Sequence, residues 1–305
     1  MIAKARDIWT NGAGDFKRAW MSLAATDAAY KAISFALLAP AVALFLKWLL
    51  SRTGTTVVAD VDIARFFIKT PQGIIAIVLG GALIGALTAV EMACLMAIGH
   101  RAADGGRLDM RSALLFGAAR SAPVLRLVGQ MVLRVLAVLI PVALLLGAVY
   151  AALLRTFDIN YYIQKRPPAF WAAAGLVGVI GGAAAAWVVW TITRWALALP
   201  LVLFERVTPE RALGASAKLS LGRRRLIALV LLIWALLAVA LGFAAAELVK
   251  WIGRAGAPHF AGSLALLIVF LTGLLLLWGA LTLAVSIIQS SVSYTHLTLP
   301  TILRV

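Results

Sequence analysis

The chain has 305 residues, of which 63% are hydrophobic and 13% are charged, and its mean hydropathy is +1.00. This composition excludes a soluble globular protein and indicates a membrane protein. The formal net charge of +16 at pH 7 does not indicate a nucleic-acid partner, because the basic residues are spread over segments that flank apolar runs.

Six apolar runs are each near or above the roughly twenty residues that a transmembrane helix needs. They lie at about residues 28–50, 73–99, 124–154, 170–204, 226–252 and 262–290. The third and fourth runs are too long for one upright span, which predicts tilt or extension beyond the membrane face. The glycine pairs Gly80–Gly81 and Gly181–Gly182 predict close packing between helices. The predicted fold class is therefore all-α, a polytopic helical membrane protein with six transmembrane helices.

Short helices on the cytoplasmic surface are predicted before the first, third and fifth spans. Asp15, Asp109 and Thr208 are residue types that cap helix N-termini. Thr208 is followed by Pro209, which suits the first helical position, and Gly222 suits a left-handed turn after that helix. The last of these segments has one apolar face and one polar face, which predicts a helix that lies on the membrane surface.

Lys and Arg side chains are unequally divided between the two sides of the predicted bundle. About fifteen lie in or beside the N-terminal segment and residues 100–123 and 205–225, against about nine in or beside residues 51–72, 155–169 and 253–261. The positive-inside rule therefore predicts a cytoplasmic N-terminus. No cleaved signal peptide is predicted, because the residues before the first run contain no apolar core.

Residues 157–170 form a polar and aromatic segment between the third and fourth apolar runs. Its two consecutive prolines stop a helix and are expected to hold Arg166 in an extended conformation. Its rings are of the kinds that collect where a bilayer meets water. We call residues 157–170 the signature loop, and its candidate functional residues are Asp158, Asn160, Tyr161, Tyr162, Pro167 and Pro168.

Charged residues inside apolar runs are the second group of candidates, because a charge in the bilayer is costly and is usually functional. The candidates, which lie in or beside these runs, are Glu91, Arg126, Arg134, Arg194 and Glu205. Glu91 is predicted to lie at the depth of Arg126 and Arg194, near the cytoplasmic face. Two interpretations stand. One is a buried ion pair that fixes helix packing, and the other is a site where arginine binds the phosphate of a lipid head group.

Motifs for catalysis or metal binding are absent from the sequence. His100 and His259 lie on opposite predicted membrane faces, and no histidine has a zinc-type partner spacing. Cys94 lies inside an apolar run, where a small core residue is the expected role. No catalytic, cofactor-binding or metal-binding residue is therefore predicted in residues 1–305.

Residues 292–301 match the translation of a fixed DNA string. The string GTC TCT TAT ACA CAT CTG ACG CTG CCG ACG, from a transposase-based library adapter, encodes these residues. We therefore interpret residues 292–305 as adapter read-through and residues 1–291 as the six-span membrane domain of a gene that is cut off near Ser291.

The signature loop, read as D-I-N-Y-Y-I-Q-x-R-P-P-x-F, resembles a known family. It is similar to the membrane domain that precedes the catalytic domain in some bacterial glycerophosphodiester phosphodiesterases. Shorter similarities follow in family order from about residue 20 to residue 225. They lie at residues 38–40, 60–63, 66–67, 91–96, 195–200 and 209–213.

This resemblance implies the membrane anchor of a truncated enzyme in the bacterial inner membrane. The parent enzyme would hydrolyse glycerophosphodiesters to glycerol 3-phosphate and an alcohol, with a divalent metal held by its catalytic domain. The family's His-Arg-Gly motif is absent from residues 1–305, so no cofactor is expected in this chain. The implied partners are the lipid bilayer, phospholipid head groups and a covalently linked catalytic domain. The alternative is a non-enzymatic, lipid-binding or transporter-like membrane protein.

Overall fold

The computed structural model describes the backbone of residues 2–53, 66–67, 70–222 and 224–297, and this part of the chain consists of helices joined by short turns, without strands. The all-α prediction is confirmed. The helices are α1 (Ile2–Thr53), α2 (Pro71–Ala103), α3 (Met110–Leu153), α4 (Ile159–Lys165), α5 (Pro168–Trp195), α6 (Ala198–Leu203), α7 (Pro209–Leu219), α8 (Arg224–Phe260) and α9 (Leu264–Leu297). The sequence also predicts a short helix that Asp60 caps, and residues 60–65 of that segment lie outside the described residues.

Within the described residues, six segments are long and apolar enough to cross a membrane, so the protein is a multi-pass membrane protein. They lie in α1, α2, α3, α5 with α6, α8 and α9. Contacts between them follow a closed order, in which α1 touches α2, α2 touches α3, α3 touches α5, α5 touches α8, α8 touches α9, and α9 returns to α1.

Two of the three predicted surface helices are not separate helices. The N-terminal segment is continuous with the first span in α1, and the residues after Asp109 are continuous with the third span in α3. The sequence contains no proline before Pro40, so the N-terminal helix meets no strong breaker before the membrane. At the other side of the bundle, α8 extends to Phe260, which makes the predicted loop 253–261 mostly helical.

Helix starts follow the capping chemistry of the sequence. The Thr70 hydroxyl accepts a hydrogen bond from the Gly73 N–H at 3.0 Å, and Pro71 occupies the first helical position of α2. The Asp109 carboxylate accepts a hydrogen bond from the Ser112 N–H at 3.3 Å. Hydrogen bonds from the Ser112 side chain and backbone lower the pKa of the Asp109 carboxyl, as expected for an ionised helix cap.

The fourth apolar run is interrupted near its end. Helix α5 stops at Trp195 and α6 begins at Ala198. Pro200 explains the break, because a proline ring cannot fit against the carbonyl four residues earlier in a continuous helix. The break leaves backbone groups without helical partners, and Ser216 of α7 supplies them. Its hydroxyl accepts from the Leu197 N–H at 3.2 Å and donates to the Arg194 carbonyl at 2.6 Å.

Helix α7 is the one predicted surface helix that forms a separate element. It starts after Thr208, and Gly222 adopts a left-handed conformation with φ of 79° soon after its end, as predicted. Its charged side chains are exposed, and its other face packs on α3, α5 and α6. The buried residues of α7 are Pro209, Ala212, Leu213 and Ser216.

Among the side chains that the structure describes, three clusters of buried apolar residues form the core, and all three lie at one end of the bundle, which we call the base. The N-terminal half of α1, the C-terminal part of α2 and the start of α3 form the first. Helices α3, α6 and α7 form the second, and α2, α3 and α6 form the third. The fully buried members include Ile98, Ala113, Val124, Leu127, Leu203 and Leu213. Cys94 is buried at the base as predicted.

The opposite end of the bundle, which we call the far end, contains the signature loop. Asp158 immediately precedes α4 and accepts a hydrogen bond from the Asn160 amide at 3.0 Å. Tyr162 is buried, and its hydroxyl donates to the Leu153 carbonyl at 3.3 Å. Tyr161 is exposed and stacks against Phe157, with ring centroids 4.4 Å apart. The loop is therefore a short helix held by rings at the end of α3.

Arg166 differs from its predicted conformation. It is left-handed, with φ of 44° and ψ of 54°, rather than extended. The reason is that Arg166 ends α4, where its N–H donates to the Tyr162 carbonyl at 3.1 Å, a common helix terminus. Pro167 then precedes α5, and Pro168 takes the first helical position.

The predicted close packing at the glycine pairs is wrong for this chain. A methyl group added at Gly80, Gly81, Gly181 or Gly182 would meet no atom within 4 Å. The tight approach lies at Gly117 of α3 instead, where an added methyl would collide with the Cys94 sulfur of α2. Small residues therefore set the α2–α3 distance at the base, not in the middle of the spans.

Candidate functional site: a charge cluster of α1, α2 and α9

Glu91 pairs with a lysine of the first helix. The Lys31 ammonium donates to Glu91 Oε1 at 2.8 Å and to the Ser286 hydroxyl at 2.7 Å. It also contacts Asp27 Oδ1, one helical turn earlier in α1. Three helices that are distant in sequence therefore converge on one ammonium group. We call Asp27, Lys31, Glu91 and Ser286 the charge cluster.

The residues of the charge cluster lie on the faces of α1, α2 and α9 that contact one another. Asp27 and Lys31 are four residues apart and so share one face of α1. The Ser286 hydroxyl accepts from Lys31 and donates to Asp27 Oδ1 at 3.4 Å. Above the cluster, the Tyr30 hydroxyl donates to the Leu87 carbonyl of α2 at 2.9 Å. These polar contacts hold α1 against α2 and α9 within the membrane-spanning segments.

Asp27 is the most enclosed member. It is 1% exposed, and the Glu91 and Lys31 side chains are 18% and 42% exposed. Asp27 Oδ2 and the hydroxyl of the neighbouring Thr26, which is also buried, have no hydrogen-bond partner. Buried polar atoms of this kind are rare in proteins and need an explanation.

The other charged candidates lie elsewhere. The guanidinium of Arg194 stacks over the Trp190 ring at 4.2 Å, and that of Arg134 lies 6.0 Å from the Trp195 ring centre. Arg126 and Glu205 are exposed. The ion pair predicted between Glu91 and Arg126 or Arg194 is therefore wrong, because Lys31 takes the place of the arginine. The structure brings only Glu91, among the five predicted charges, into the cluster.

A small cavity adjoins the charge cluster. Its volume is about 150 Å³, and it lies between α8 and α9. The lining residues are Gly242, Ala245, Trp278, Thr282, Val285 and Ser286. Because Ser286 belongs to both the cavity and the cluster, the cavity leads to the hydroxyl that Lys31 and Asp27 share.

No group of three His, Cys, Asp or Glu residues is placed to hold a metal ion in the described part of the chain. The His100 ring packs on the Phe204 ring, with centroids 4.5 Å apart. The His259 ring nitrogen Nδ1 lies 3.0 Å from the Ala255 carbonyl at the end of α8. Both contacts are within or beside helix ends and make no shared site.

Three of the four cluster residues were not predicted from the sequence. Asp27 lies just before the first apolar run at 28–50, and Lys31 and Ser286 were not among the candidates. A signal for two of them was present, since an Asp and a Lys at a spacing of four on the edge of an apolar run predict a paired face. Ser286 carried no such signal. Its role depends on how α9 lies against α1, which a single sequence does not state.

The fold and the cluster define a class, a polytopic helical membrane domain with its core and buried charges at one end. Residues 9–302 match the model of one protein family, the membrane domain of glycerophosphoryl diester phosphodiesterase. The chain therefore belongs to this family, as the signature loop predicted. No curated protein and no solved structure gives a significant match to the chain.

Proposed function

We propose that this chain anchors the catalytic domain of a glycerophosphodiester phosphodiesterase to the bacterial inner membrane. The family match over residues 9–302 carries the proposal. The catalytic domain is covalently linked after α9, holds the divalent metal, and releases glycerol 3-phosphate and an alcohol from glycerophosphodiesters. The membrane-spanning helices contribute attachment and contacts with lipid head groups.

The arrangement of α9 supports a link at the base. Ser286, near the C-terminal end of the last span, contacts Lys31 in the N-terminal half of the first span. A domain that follows α9 therefore sits at the base, on the same side as α7 and the start of α1. The Lys and Arg distribution makes this side cytoplasmic in the proposal.

The gene tests the first part of the proposal. We propose that residues 292–305 are adapter read-through, so the DNA past the codon for Ser291 should continue into a domain with a His-Arg-Gly motif. The joined protein should release glycerol 3-phosphate from glycerophosphocholine with magnesium or calcium. Residues 1–305 alone should not, because phosphodiester hydrolysis needs an acid–base pair and charge stabilisation that this chain lacks in its sequence motifs.

An early stop codon in the native DNA would contradict the anchor proposal and favour the lipid-binding or transporter-like alternative. Turnover by residues 1–305 that is lost in His100→Ala would also contradict it. The orientation is tested by thiol labelling of intact cells after Cys94→Ala. A cysteine at the exposed far-end residue Gln164 should react from outside, and one at the exposed base residue Lys218 should not.

A further inference from the structure

The charge cluster carries one more negative than positive charge when its groups are ionised. Asp27 and Glu91 supply two carboxylates, and Lys31 supplies one ammonium. The charged groups that act on Glu91 of α2 are Lys31 and Asp27, both from α1. The Tyr30 phenol and the Cys94 thiol also lie in the field of Glu91, and both are neutral at pH 7 in their ordinary states. From α9, the cluster receives the neutral hydroxyl of Ser286.

An unbalanced negative charge is costly at this position. All of the cluster residues lie within membrane-spanning segments, and Asp27 is almost fully buried. A buried carboxylate without a compensating charge responds by taking up a proton rather than remaining ionised. The 1:1 pair of Lys250 with Glu247 on α8, at 2.8 Å, has no such imbalance and is exposed.

The geometry of the two carboxyl groups indicates where a proton would lie. Asp27 Oδ1 is satisfied by Lys31, whereas Oδ2 has no donor if both acids are ionised. Both carboxyl groups contact the same Lys31 ammonium, Asp27 through Oδ1 and Glu91 through Oε1 at 2.8 Å, so the two acids lie side by side. Two carboxylates are both acceptors, so a hydrogen bond between them forms only when one of them carries a proton.

We propose that the charge cluster is an intramembrane proton-binding site, in which the carboxyl groups of Asp27 and Glu91 share one proton at neutral pH. An O–H bond forms on one carboxyl group and donates to the other, and the proton comes from water. The cluster then consists of one carboxylic acid, one carboxylate and one ammonium, and its net charge is zero. The shared proton adds a third link between α1 and α2, beside the Lys31–Glu91 pair and the Tyr30–Leu87 hydrogen bond.

The cavity beside Ser286 gives the proton a path. Its volume of about 150 Å³ is larger than one water molecule, and its lining includes Thr282 and Ser286 of α9. The Lys31 side chain is also partly exposed. Proton release would leave two carboxylates around one ammonium, and so it would weaken the contact of α1 with α2.

Infrared spectroscopy of the purified chain in lipid nanodiscs tests this proposal, because a protonated carboxyl group has its own carbonyl band. At pH 7 in sodium-free buffer the wild-type protein should show this band. Asp27→Asn and Glu91→Gln should each lose it, because the remaining carboxylate is balanced one to one by Lys31. The control variant Glu247→Gln should keep it, since the exposed pair on α8 holds no shared proton.

Absence of the band in the wild-type protein at pH 7 would overturn the proposal, as would a band that survives in both cluster variants. Loss of the band when sodium replaces a bulky organic cation would show that an alkali cation occupies the site instead, which also overturns it. If Asp27→Asn does not fold, loss of the infrared band in Glu91→Gln tests the same proposal. Thermal stability supplies a second reading, since the wild type should lose stability as the pH rises and the proton is released, while Glu91→Gln should not.

Discussion

The base and the far end of the bundle use the same apolar residue types but are held together differently. At the base, side chains from α1, α2, α3, α6 and α7 bury one another in three clusters. Toward the far end, large apolar residues such as Leu144 and Leu275 are about 70% exposed and face lipid. The comparison teaches that hydropathy alone does not locate the core of a membrane protein, because a lipid-facing leucine and a core leucine look alike in sequence.

The difference between the two ends arises from the places where the helices are interrupted. The base contains the interruption at Pro200 and the separate helix α7, and both bring additional side chains against α3. The far end has the short helix α4, whose buried ring is Tyr162. Stability should therefore be concentrated at the base, and four pairs of matched variants test this. In each case the free energy of unfolding is measured in mixed detergent by tryptophan fluorescence.

The largest effect is expected for Lys31→Met. This change leaves Asp27 and Glu91 facing each other without a counter-charge, and it should cost about 3 kcal/mol, the low end for a broken buried pair, because Lys31 is partly exposed. Lys250→Met is the matched control toward the far end. Its partner Glu247 is exposed, so the loss should be below about 1 kcal/mol. Equal losses in the two variants would break the comparison between base and far end.

The next effect compares two leucines of α3. Leu127 is 1% exposed at the base, and Leu144 is 70% exposed. Leu127→Ala should lower the free energy of unfolding by about 2–3 kcal/mol, near the low end for core leucines. The reason is that lipid is as apolar as the protein core, so the variant loses packing contacts but no hydrophobic transfer energy. Leu144→Ala should be nearly neutral. A loss at Leu144 as large as that at Leu127 would show a packed surface at the far end.

A glycine comparison separates steric fit from helix propensity. Gly117→Ala should destabilise by about 1–2 kcal/mol, because the new methyl group collides with the Cys94 sulfur. Gly147→Ala on the same helix meets open space and should be neutral or stabilising. Adding Cys94→Ala to Gly117→Ala removes the colliding atom and should recover much of the loss. A lack of recovery would mean that another feature of the base requires glycine.

The fold class and the family could be predicted from the sequence, but most residues of the charge cluster could not. Six apolar runs, the start of α7 at Thr208–Pro209 and the buried role of Cys94 follow from local chemistry and were confirmed. The partner of Glu91 was not predictable in this way. Depth along a span selects Arg126 and Arg194, but rotation of the helices decides which side chain faces Glu91, and it selects Lys31.

Errors at Arg166 and at the glycine pairs have similar causes. A proline favours an extended residue before it, but the end of α4 required a left-handed residue at Arg166. Glycine pairs favour close packing, but at Gly80 and Gly181 no helix approaches. In each case a local preference was correct in general and was overridden by the neighbouring element.

The smallest of the four effects concerns how α7 is attached to the base. Ser216→Ala removes the acceptor of the buried Leu197 N–H and the donor to the Arg194 carbonyl, which should cost at least about 1 kcal/mol. Ser220 is the matched control, because it is equally buried but donates within its own helix to the Ala217 carbonyl at 3.1 Å. Ser220→Ala leaves no buried backbone N–H without a partner, so its cost should be smaller. Equal losses in the two variants would indicate that the two hydrogen bonds of the Ser216 hydroxyl to residues 194 and 197 add no stability beyond that of a buried serine. The base would then depend on apolar packing alone. A greater loss for Ser216→Ala would show that the broken end of the fourth span and helix α7 stabilise each other through this one hydroxyl.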